Sequence, residues 1–425
     1  MINRKIIKLL SSVLGIALTI GILEMPTLAA DNVQATSTYN TTSTLTTDKN
    51  YIVGTGGNYE KNGVRISIDS VKATKHKLQV EVSIKCPTPM DDHHMDEFAD
   101  IIMSYGNNKS SRGSTSYENI DGKTLKITFE KDTRKDYLPE KGILRIDVVI
   151  PKYKINAGIE TNVDFSDSFK NSFEKALSID VPDANFTIKN LETNMLGTEI
   201  TYSAPENQSK DDKYRFSPAD TTNLILKAGN NFYELRHSGY SSGGDINSRI
   251  ITGTCDAEAA TYDKLKTQSN LSIIPIISTI TEDQREQIYK DLNKNIKHDQ
   301  LSKNVTDKVD YTKFITFSDK TEGEIYNINR TDTTLKVYCK GANELESLLL
   351  ASNMNMYYNF DQTENVHDYY RGNRQIDISK DPKDALGYIV EFNNVDKDKT
   401  VEVNFDPIVK FIDKYKLGTE IQINK

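Results

Sequence analysis

The apolar positions of residues 64–82 follow a spacing that returns twice later in the chain. Counted from the first position, apolar side chains stand at 0, +2, +5, +14 and +16, namely Ile66, Ile68, Val71, Val80 and Val82. The same spacing starts at Phe186 and again at Gly323, and only Gly323 departs from the apolar pattern. Any two strands share part of such a spacing by chance, but a gapless match in three places favours true repetition.

Each copy predicts an antiparallel hairpin with one buried face. Alternation with a period of two puts every second side chain on the same face of a strand. The extra residue between +2 and +5 shifts this phase by one, as a β-bulge does. The polar segment 72–77 then predicts the turn of the first copy. Because an isolated hairpin is marginally stable in water, further strands must cover each one.

Later segments supply candidates for these strands. They are residues 124–130, 143–150, 175–181, 222–228, 231–237, 271–279, 345–353, 356–360, 374–379, 387–393 and 400–405. Residues 396–399 predict the turn that joins the last two into a hairpin, and 281–296 predicts a helix with Thr281 as its N-cap. Many short strands separated by turns predict a mainly β chain of tandem β-sandwich modules with one short helix.

The N-terminus has the layout of an export signal. Basic MINRKIIK precedes the apolar run of residues 9–23, and small residues follow at 28–30 and 33–35. We therefore expect a cleaved signal peptide or a retained membrane anchor, rather than a buried core helix, within 1–35. Both leading options place residues 36–425 outside the membrane.

The composition of the rest of the chain suggests its division into domains. A Thr/Ser-rich linker is predicted at 36–49, because this stretch is polar and almost free of large apolar residues. Three sandwich modules are predicted at 50–182, 183–310 and 311–425, with the helix in the second. This division agrees with the usual size of a domain, roughly 100–150 residues.

Charge and cysteine content restrict the function. The formal net charge is −8, and no dense basic block is present, so neither nucleic acid nor an anionic membrane surface is an expected partner. Contact with a membrane is expected only through the N-terminal segment, if it is uncleaved. Cys86, Cys255 and Cys339 are widely spaced and odd in number, which allows at most one disulfide and favours buried thiols.

The segment 90–98 is the densest cluster of ionisable residues. On a helix, Asp92 with Asp96, or His93 with Glu97, would share a face, and these side chains could ligate zinc or a similar ion. A solvated loop is the favoured alternative, because no third and fourth ligand is indicated elsewhere. We therefore predict neither a metal site nor a cofactor.

Two other segments are weaker candidates for a functional site. Residues 239–244 read GYSSGG and follow His237, but a flexible turn is favoured over a catalytic site. A tyrosine-rich segment near residues 353–372 predicts either a binding surface or ordinary structural packing, since tyrosine and arginine are enriched at interfaces. Its candidate residues are Tyr357, Tyr358, Tyr369, Tyr370 and Arg371.

Three segments resemble a known family. Residues 62–85, NGVRISIDSVKATKHKLQVEVSIK, resemble the start of an ectodomain family of unknown function found on membrane-bound anti-sigma factors of Gram-positive bacteria. Residues 314–341 and 387–405 resemble the immunoglobulin-like domain that commonly follows it. The resemblance covers most of 50–182 and 311–425, and it implies immunoglobulin-like sandwiches with no catalytic residues to carry over.

The sequence differs from this family before the apolar run. In that family a cytoplasmic helical region precedes the membrane segment and would hold the sigma factor, whereas only MINRKIIK precedes the apolar run in this sequence. A sigma-binding role is therefore not expected.

The sequence as a whole predicts a non-enzymatic sensing or binding ectodomain of the cell envelope. Its partner would be an unidentified envelope protein or ligand. Two alternatives remain at this point: a structural or adhesive wall protein, and an exported hydrolase whose site the sequence does not show.

Overall fold

The structure is a computed structural model. The predicted signal or anchor, the linker, and the predicted helix at 281–296 lie outside the residues that it describes, which are 51–53, 56–90, 98–106, 108–111, 114–133, 137–182, 184–205, 207–208, 215–216, 222–243, 249–280, 303–305, 313–358, 370–399, 401–404 and 411–424. Within these ranges no helix is long and apolar enough to cross a membrane.

The described chain is mainly β, as the sequence predicts. Its first strands are β1 (Asn58–Lys61), β2 (Val64–Ala73), β3 (Lys77–Lys85), β4 (Asp100–Tyr105), β5 (Asn108–Ser111), β6 (Ser114–Asn119), β7 (Thr124–Asp132), β8 (Lys141–Ile150) and β9 (Ile155–Asp164). The next are β10 (Phe173–Val181), β11 (Phe186–Asn194), β12 (Gly197–Pro205), β13 (Asn207–Gln208), β14 (Arg215–Phe216), β15 (Thr222–Ala228), β16 (Asn231–Gly243), β17 (Ile250–Ala257) and β18 (Asn270–Ser278). The last are β19 (Lys303–Val305), β20 (Lys313–Thr316), β21 (Glu322–Arg330), β22 (Thr334–Lys340), β23 (Asn355–Tyr358), β24 (Asp377–Lys380), β25 (Tyr388–Asn393), β26 (Val401–Asn404), β27 (Tyr415–Leu417) and β28 (Ile421–Asn424).

The described helices are short. The α-helices are α1 (Ser166–Lys170), α2 (Tyr262–Leu265) and α3 (Glu344–Ser352), and the 3₁₀ helices are Pro151–Tyr153, Arg371–Arg374 and Ile412–Lys414. Asn343 caps α3: its side chain accepts a hydrogen bond from the Glu346 amide at 3.0 Å. Glu346 Oε2 accepts a hydrogen bond from the Ala342 amide at 2.9 Å, so Asn343 and Glu346 together cap the start of α3.

One strand order occurs three times. The described strands form the paths β1-β2-β3-β7-β6, β10-β11-β12-β17-β16 and β20-β21-β22-β25-β24. In each path a strand pairs with the first strand of a repeat hairpin, and the second strand of that hairpin pairs with a later strand. We call each path, together with the strands that cover it, the first, second or third unit.

The three repeat hairpins confirm the spacing found in the sequence. Ile68 faces Val82 and Val71 faces Val80, with a register shift between residues 68 and 70. The second hairpin shifts between residues 188 and 190, and the third between 325 and 327. The bulge therefore lies at the same position of all three copies, where the sequence predicts it.

Two glycines explain how the repeat tolerates its irregular positions. A Cβ on Gly323 would lie 2.6 Å from Cζ of Phe317, so this ring occupies the space that an apolar side chain fills in the other copies. In the second copy the last position is Tyr202, which is larger than its counterparts. A Cβ on Gly253, on the neighbouring strand, would lie 2.2 Å from the Tyr202 hydroxyl, so the glycine makes room for the ring.

Each unit buries one hydrophobic cluster between its five-strand path and a second set of strands. In the first unit β5-β4-β8-β9 supplies this set, and Leu144, Ile146 and Ile159 pack with the hairpin residues. In the second unit β15 and β18 supply it, joined by β27 and β28, and in the third unit β19-β26-β23 does so. The inward faces of alternating strands supply most of each cluster. Helices add to them, chiefly α3, whose Leu348, Leu349 and Leu350 lie in the third cluster.

The second and third units are joined through their sheets. Asn231 and Phe232 of β16 pair with Ser379 and Ile378 of β24. Ile225, Phe232 and Ile276 belong to the third hydrophobic cluster, although they lie on strands of the second unit.

Three details differ from the sequence prediction. Residues 345–353, predicted as a strand, form most of α3, because a short apolar run is compatible with either element and the cap at Asn343 decides for the helix. The strands β25 and β26 do not pair with each other, so 396–399 connects two sheets and is not a hairpin turn. The strand at 175–181 is β10, which pairs with β11 of the second unit.

Candidate binding groove

A small groove lies between the second and third units. The second unit contributes β16, β17 and the residues after β17, and the third contributes the end of α3, the 3₁₀ helix Arg371–Arg374 and β24. Tyr233, Ile376 and Ile378 are buried and give it an apolar base. Charged side chains complete the lining: Glu234, Arg236, Asp256, Glu258 and Arg374.

Ion pairs fix the two arginines of the groove. Arg236 Nε lies 2.7 Å from Glu234 Oε2, a pair that β16 places on one face because the residues are two apart. Arg374 Nη1 lies 3.2 Å from Glu258 Oε1 and so joins the third unit to the second. With Asp256, the groove has three carboxylates for two guanidinium groups, which favours a cationic group on any ligand.

Tyr233 can act in the groove only as a neutral phenol. Burial, assisted by the negative charge of Asp377, raises its pKa well above the ordinary value. Asp377 is itself held by Lys264 and by the Asn393 amide, whose Nδ2 lies 3.2 Å from Oδ2. Tyr233 therefore offers a hydrogen bond and an apolar ring, and it is poorly suited to proton abstraction.

A second charged contact joins the first and second units. Lys77 Nζ, at the start of β3, lies 2.5 Å from Glu199 Oε2 on β12. Burial alone would lower the pKa of Lys77, but the attraction of Glu199 and its hydrogen bond outweigh burial and raise it. We call this contact, with its neighbours Glu130 and Glu192, the acidic joint.

The carboxylates of the acidic joint outnumber its lysine. Burial raises the pKa of Glu130 despite the opposing effect of Lys77. Burial likewise raises the pKa of Glu192, although a hydrogen bond from Asn194 counteracts it. Burial of these two carboxyls therefore disfavours their charged form, so a negative charge at either of them costs more than it would in water.

The acidic joint and the groove form one row across the sheet. Glu199 on β12 is opposite Asp256 on β17, and Asp256 is opposite Arg236 on β16. Directly opposite residues of neighbouring antiparallel strands lie about 5 Å apart at Cβ. Charge is therefore continuous from the first unit, across the second, to the edge of the third.

The segment 90–98, whose ionisable residues were weak candidates for metal ligands, is described only in part. Asp92, His93, Asp96 and Glu97 lie outside the described residues. Among the residues that are described, no three His, Cys, Asp or Glu side chains are grouped so as to hold a metal ion.

The predicted tyrosine surface is only partly described. Tyr369 and the side chains of Tyr357 and Arg371 lie outside the described part of the chain. Tyr358 and Tyr370 are 6% and 4% exposed, and they pack edge to face with ring centroids 6.0 Å apart. Their hydroxyls bond to backbone, Tyr370 to the Asn393 carbonyl and Tyr358 to the Asp396 amide. These two residues are therefore core residues: of the two alternatives, the structure supports structural packing for Tyr358 and Tyr370 and corrects their assignment to a binding surface.

The GYSSGG segment is not a flexible turn where the structure describes it. Residues 239–243 continue β16 and pair with β17. His237 Nε2 lies 2.8 Å from the Tyr202 hydroxyl, and Ser238 Oγ lies 3.0 Å from Thr254 Oγ1. The histidine therefore pairs with a tyrosine rather than with a serine nucleophile.

Neither charged contact was predicted from the sequence. The i, i+2 pair Glu234 and Arg236 was visible in the predicted strand 231–237, because alternation places both side chains on one face. Arg374 and Lys77 approach from other units, and no local pattern predicts that approach.

Comparisons with known proteins show no family. No protein-family profile matches the chain, and no curated protein matches it. A conserved domain protein from Bacillus anthracis is similar in structure, with 15% identity and a TM-score of 0.38 over 61% of this chain and 84% of that one. An uncharacterized protein from Listeria monocytogenes, solved in complex with glucose, magnesium and calcium, has 8% identity and a TM-score of 0.14 over 78% of this chain and 29% of that one.

Proposed function

We propose that the protein is an extracytoplasmic binding ectodomain without catalytic activity, similar to the extracellular part of membrane-bound anti-sigma factors. The observation that carries this proposal is the charged groove at the contact of the second and third units, with Arg236 and Arg374 held in place by carboxylates. Fixed charges above an apolar base suit recognition of a polar group. The export signal and the resemblance described from the sequence support the location.

The architecture we propose is a set of β-sandwich modules of immunoglobulin-like type after a linker at 36–49. The boundaries expected near 182 and 310 are modified, because β10 and residues 415–424 pair with strands of the second unit. The five-strand path of each unit, with a second set of strands over one hydrophobic cluster, supports the sandwich. Sandwiches of this kind bind through loops, edges and the contacts between modules.

The partner we propose is an envelope component that presents a basic group. The groove has an excess of carboxylates, and the row Glu199, Asp256 extends this excess toward the first unit. A cationic group would offset the repulsion between carboxylates that the two arginines leave uncompensated. Such an interaction should weaken as salt is raised, because the charged side chains of the groove are partly exposed, Arg374 to 64%.

Crosslinking in producing cells tests the binding site. A photoreactive benzoylphenylalanine replaces Arg374, whose side chain is 64% exposed, and in a matched control it replaces Ile143, 58% exposed on the first unit. We expect a crosslinked adduct with an envelope component at position 374 and not at 143, reduced when Glu258 is also changed to Gln. Equal adducts at both positions, or none at either, would reject the groove as the site.

Protease treatment of intact cells tests the location separately. An added protease should remove the full-length chain without lysis, while a cytoplasmic control protein survives. A chain that is degraded only after lysis would overturn the extracytoplasmic assignment. High salt should leave an anchored ectodomain on the cells, whereas release by salt would favour a loosely held wall protein.

A further inference from the structure

The first unit shows how a unit of this chain is completed. Its β8 pairs with β4 on one side and with β9 on the other. β9 follows β8 directly, through the 3₁₀ turn Pro151–Tyr153, and places Ile155, Ala157 and Ile159 in the core. We call the strand at the position of β9 the closing strand.

The second unit takes its closing strand from the end of the chain. β18 occupies the place of β8, since it pairs with β15 as β8 pairs with β4. On its other side β18 pairs with β27 and β28, and Leu271 faces Ile423 while Ile273 faces Ile421. Ile421 and Ile423 are buried in the hydrophobic cluster of the second unit.

The third unit takes its closing strand from the chain that leaves the second. β26 occupies the place of β8, because it pairs with β23, and its other neighbour is β19. β19 is the next described strand after β18, so by chain order it stands where β9 stands in the first unit. The two closing strands are therefore exchanged.

The contact between β18 and β27 extends one residue beyond the two strands. Thr279, the first residue after β18, donates its amide and its hydroxyl to the Lys414 carbonyl at 2.7 and 2.9 Å. Lys414 immediately precedes β27. The chain that leaves the second unit thus contacts the chain that arrives from the third.

We propose that the second and third units are interlocked by a reciprocal exchange of closing strands: residues 415–424 bind as an extended strand at the edge of β18 that β19 would otherwise occupy. This inference does not depend on the proposed function. Specific contacts support it: Glu420 accepts from Lys227 Nζ at 3.1 Å and from Ser272 Oγ at 2.5 Å. Pro275 lacks an amide hydrogen, and its carbonyl accepts from Gly418 at 2.8 Å where β27 gives way to β28.

The exchange has a consequence for folding. The second unit cannot complete its core until residues 415–424 are available, because this strand addition supplies both backbone pairing and the buried side chains of Ile421 and Ile423. The second and third units therefore form one folding unit, while the first unit closes itself.

A disulfide crosslink on the full chain tests the exchange. Ser272 and Gln422 are directly opposite, a separation that a disulfide can bridge, so both are changed to Cys. The control pair, Ile143→Cys with Asn162→Cys, lies in the self-closed first unit. We expect both pairs to form intrachain disulfides at any protein concentration, and Gln422→Cys alone to form none.

Two results would overturn the proposal. A 272–422 disulfide that joins two chains would show that a second copy supplies the strand. Failure of this pair to crosslink while the control pair does so would show that the β18 edge is not occupied by residues 415–424.

The same site can be tested by removing its strand and adding it back as a free peptide. We expect removal of residues 415–425 to expose the second unit to proteolysis and leave the first unit protected, and we expect the free peptide YKLGTEIQINK to restore protection. A truncated chain that is as resistant as the full chain would contradict the proposal. The same peptide with Ile421 and Ile423 changed to Thr serves as the control and should not restore protection.

Discussion

Lys77 of the first unit and Glu199 of the second form an ion pair with an Nζ–Oε2 distance of 2.5 Å, and their side chains are only 21% and 14% exposed. Around them the carboxyls of Glu130 and Glu192 have raised pKa values because they are buried. Lys77 therefore opposes the negative charge of several carboxyls at this contact between units.

Replacement of this lysine should destabilise the contact. The change Lys77→Met leaves Glu199 buried without its partner, and we expect a loss of about 3 kcal/mol in the free energy of unfolding, measured by urea denaturation. The double change with Glu199→Gln should recover much of this loss. The control Lys336→Met breaks a more exposed pair with Glu391 and should cost less than about 1 kcal/mol. Equal losses in Lys77→Met and the double variant would contradict the coupling.

Glu130→Gln should stabilise the protein at neutral pH. Because burial raises its folded-state pKa above the unfolded value, Glu130 contributes stability only when protonated, and this contribution is lost as the pH rises through the folded pKa. The amide removes the charge at all pH values. Urea denaturation should therefore show a gain at pH 7 that disappears at pH 4 and below. A loss of stability at pH 7 would show that attraction to Lys77 dominates.

Glu420→Gln should destabilise the protein at neutral pH, which is the opposite of the effect expected for Glu130→Gln. Burial acts to raise the pKa of Glu420, but hydrogen bonds from Ser272 and Lys227 outweigh it and lower the pKa. The carboxylate therefore contributes stability above its unfolded pKa, and this is lost as the pH falls through the folded value. The variant should be less stable than the parent at pH 7 and equal to it in acid. A difference that persists unchanged in acid would mean that charge is not the cause.

Gly253→Ala should destabilise the second unit through its contact with Tyr202. The added Cβ would lie 2.2 Å from the tyrosine hydroxyl, and overpacking of this kind costs roughly 1–3 kcal/mol. Replacing Tyr202 by Val, the residue at the same repeat position of the first unit, should relieve the clash in the double variant. Gly239→Ala is the control, since no atom lies within 4 Å of its added Cβ. The effect is measured by comparing the melting temperatures of the parent, Gly253→Ala, the double variant and Gly239→Ala.

The repeat hairpins could be predicted from the sequence, including their bulges, because a phase shift in the alternation is a local signal. Ile68, Leu191 and Ile328 each belong to hairpins with the predicted register. The helix α3 was open to prediction too: Asn343 followed by Glu346 is a capping pattern, but the apolar run after it also fits a strand.

The contacts between units could not be predicted in this way. Pairing of Ile423 with Leu271 joins residues far apart in the chain, and both strands have the ordinary alternation of any buried strand. The groove depends on Arg374 meeting Glu258 for the same reason. Alternation specifies which face of a strand is buried, but not which strand lies beside it.

The three cysteines have a use that follows from where they lie. Cys86, Cys255 and Cys339 each belong to a different one of the three hydrophobic clusters, and all are free thiols. A reagent in solution can modify a buried thiol only when its surroundings open transiently. The rate at which each cysteine is modified therefore reports how often its own hydrophobic cluster opens, and mass spectrometry can measure this rate without an engineered label. If the second and third units are interlocked, Cys255 and Cys339 should be modified at similar rates, whereas Cys86 should be modified at a rate of its own.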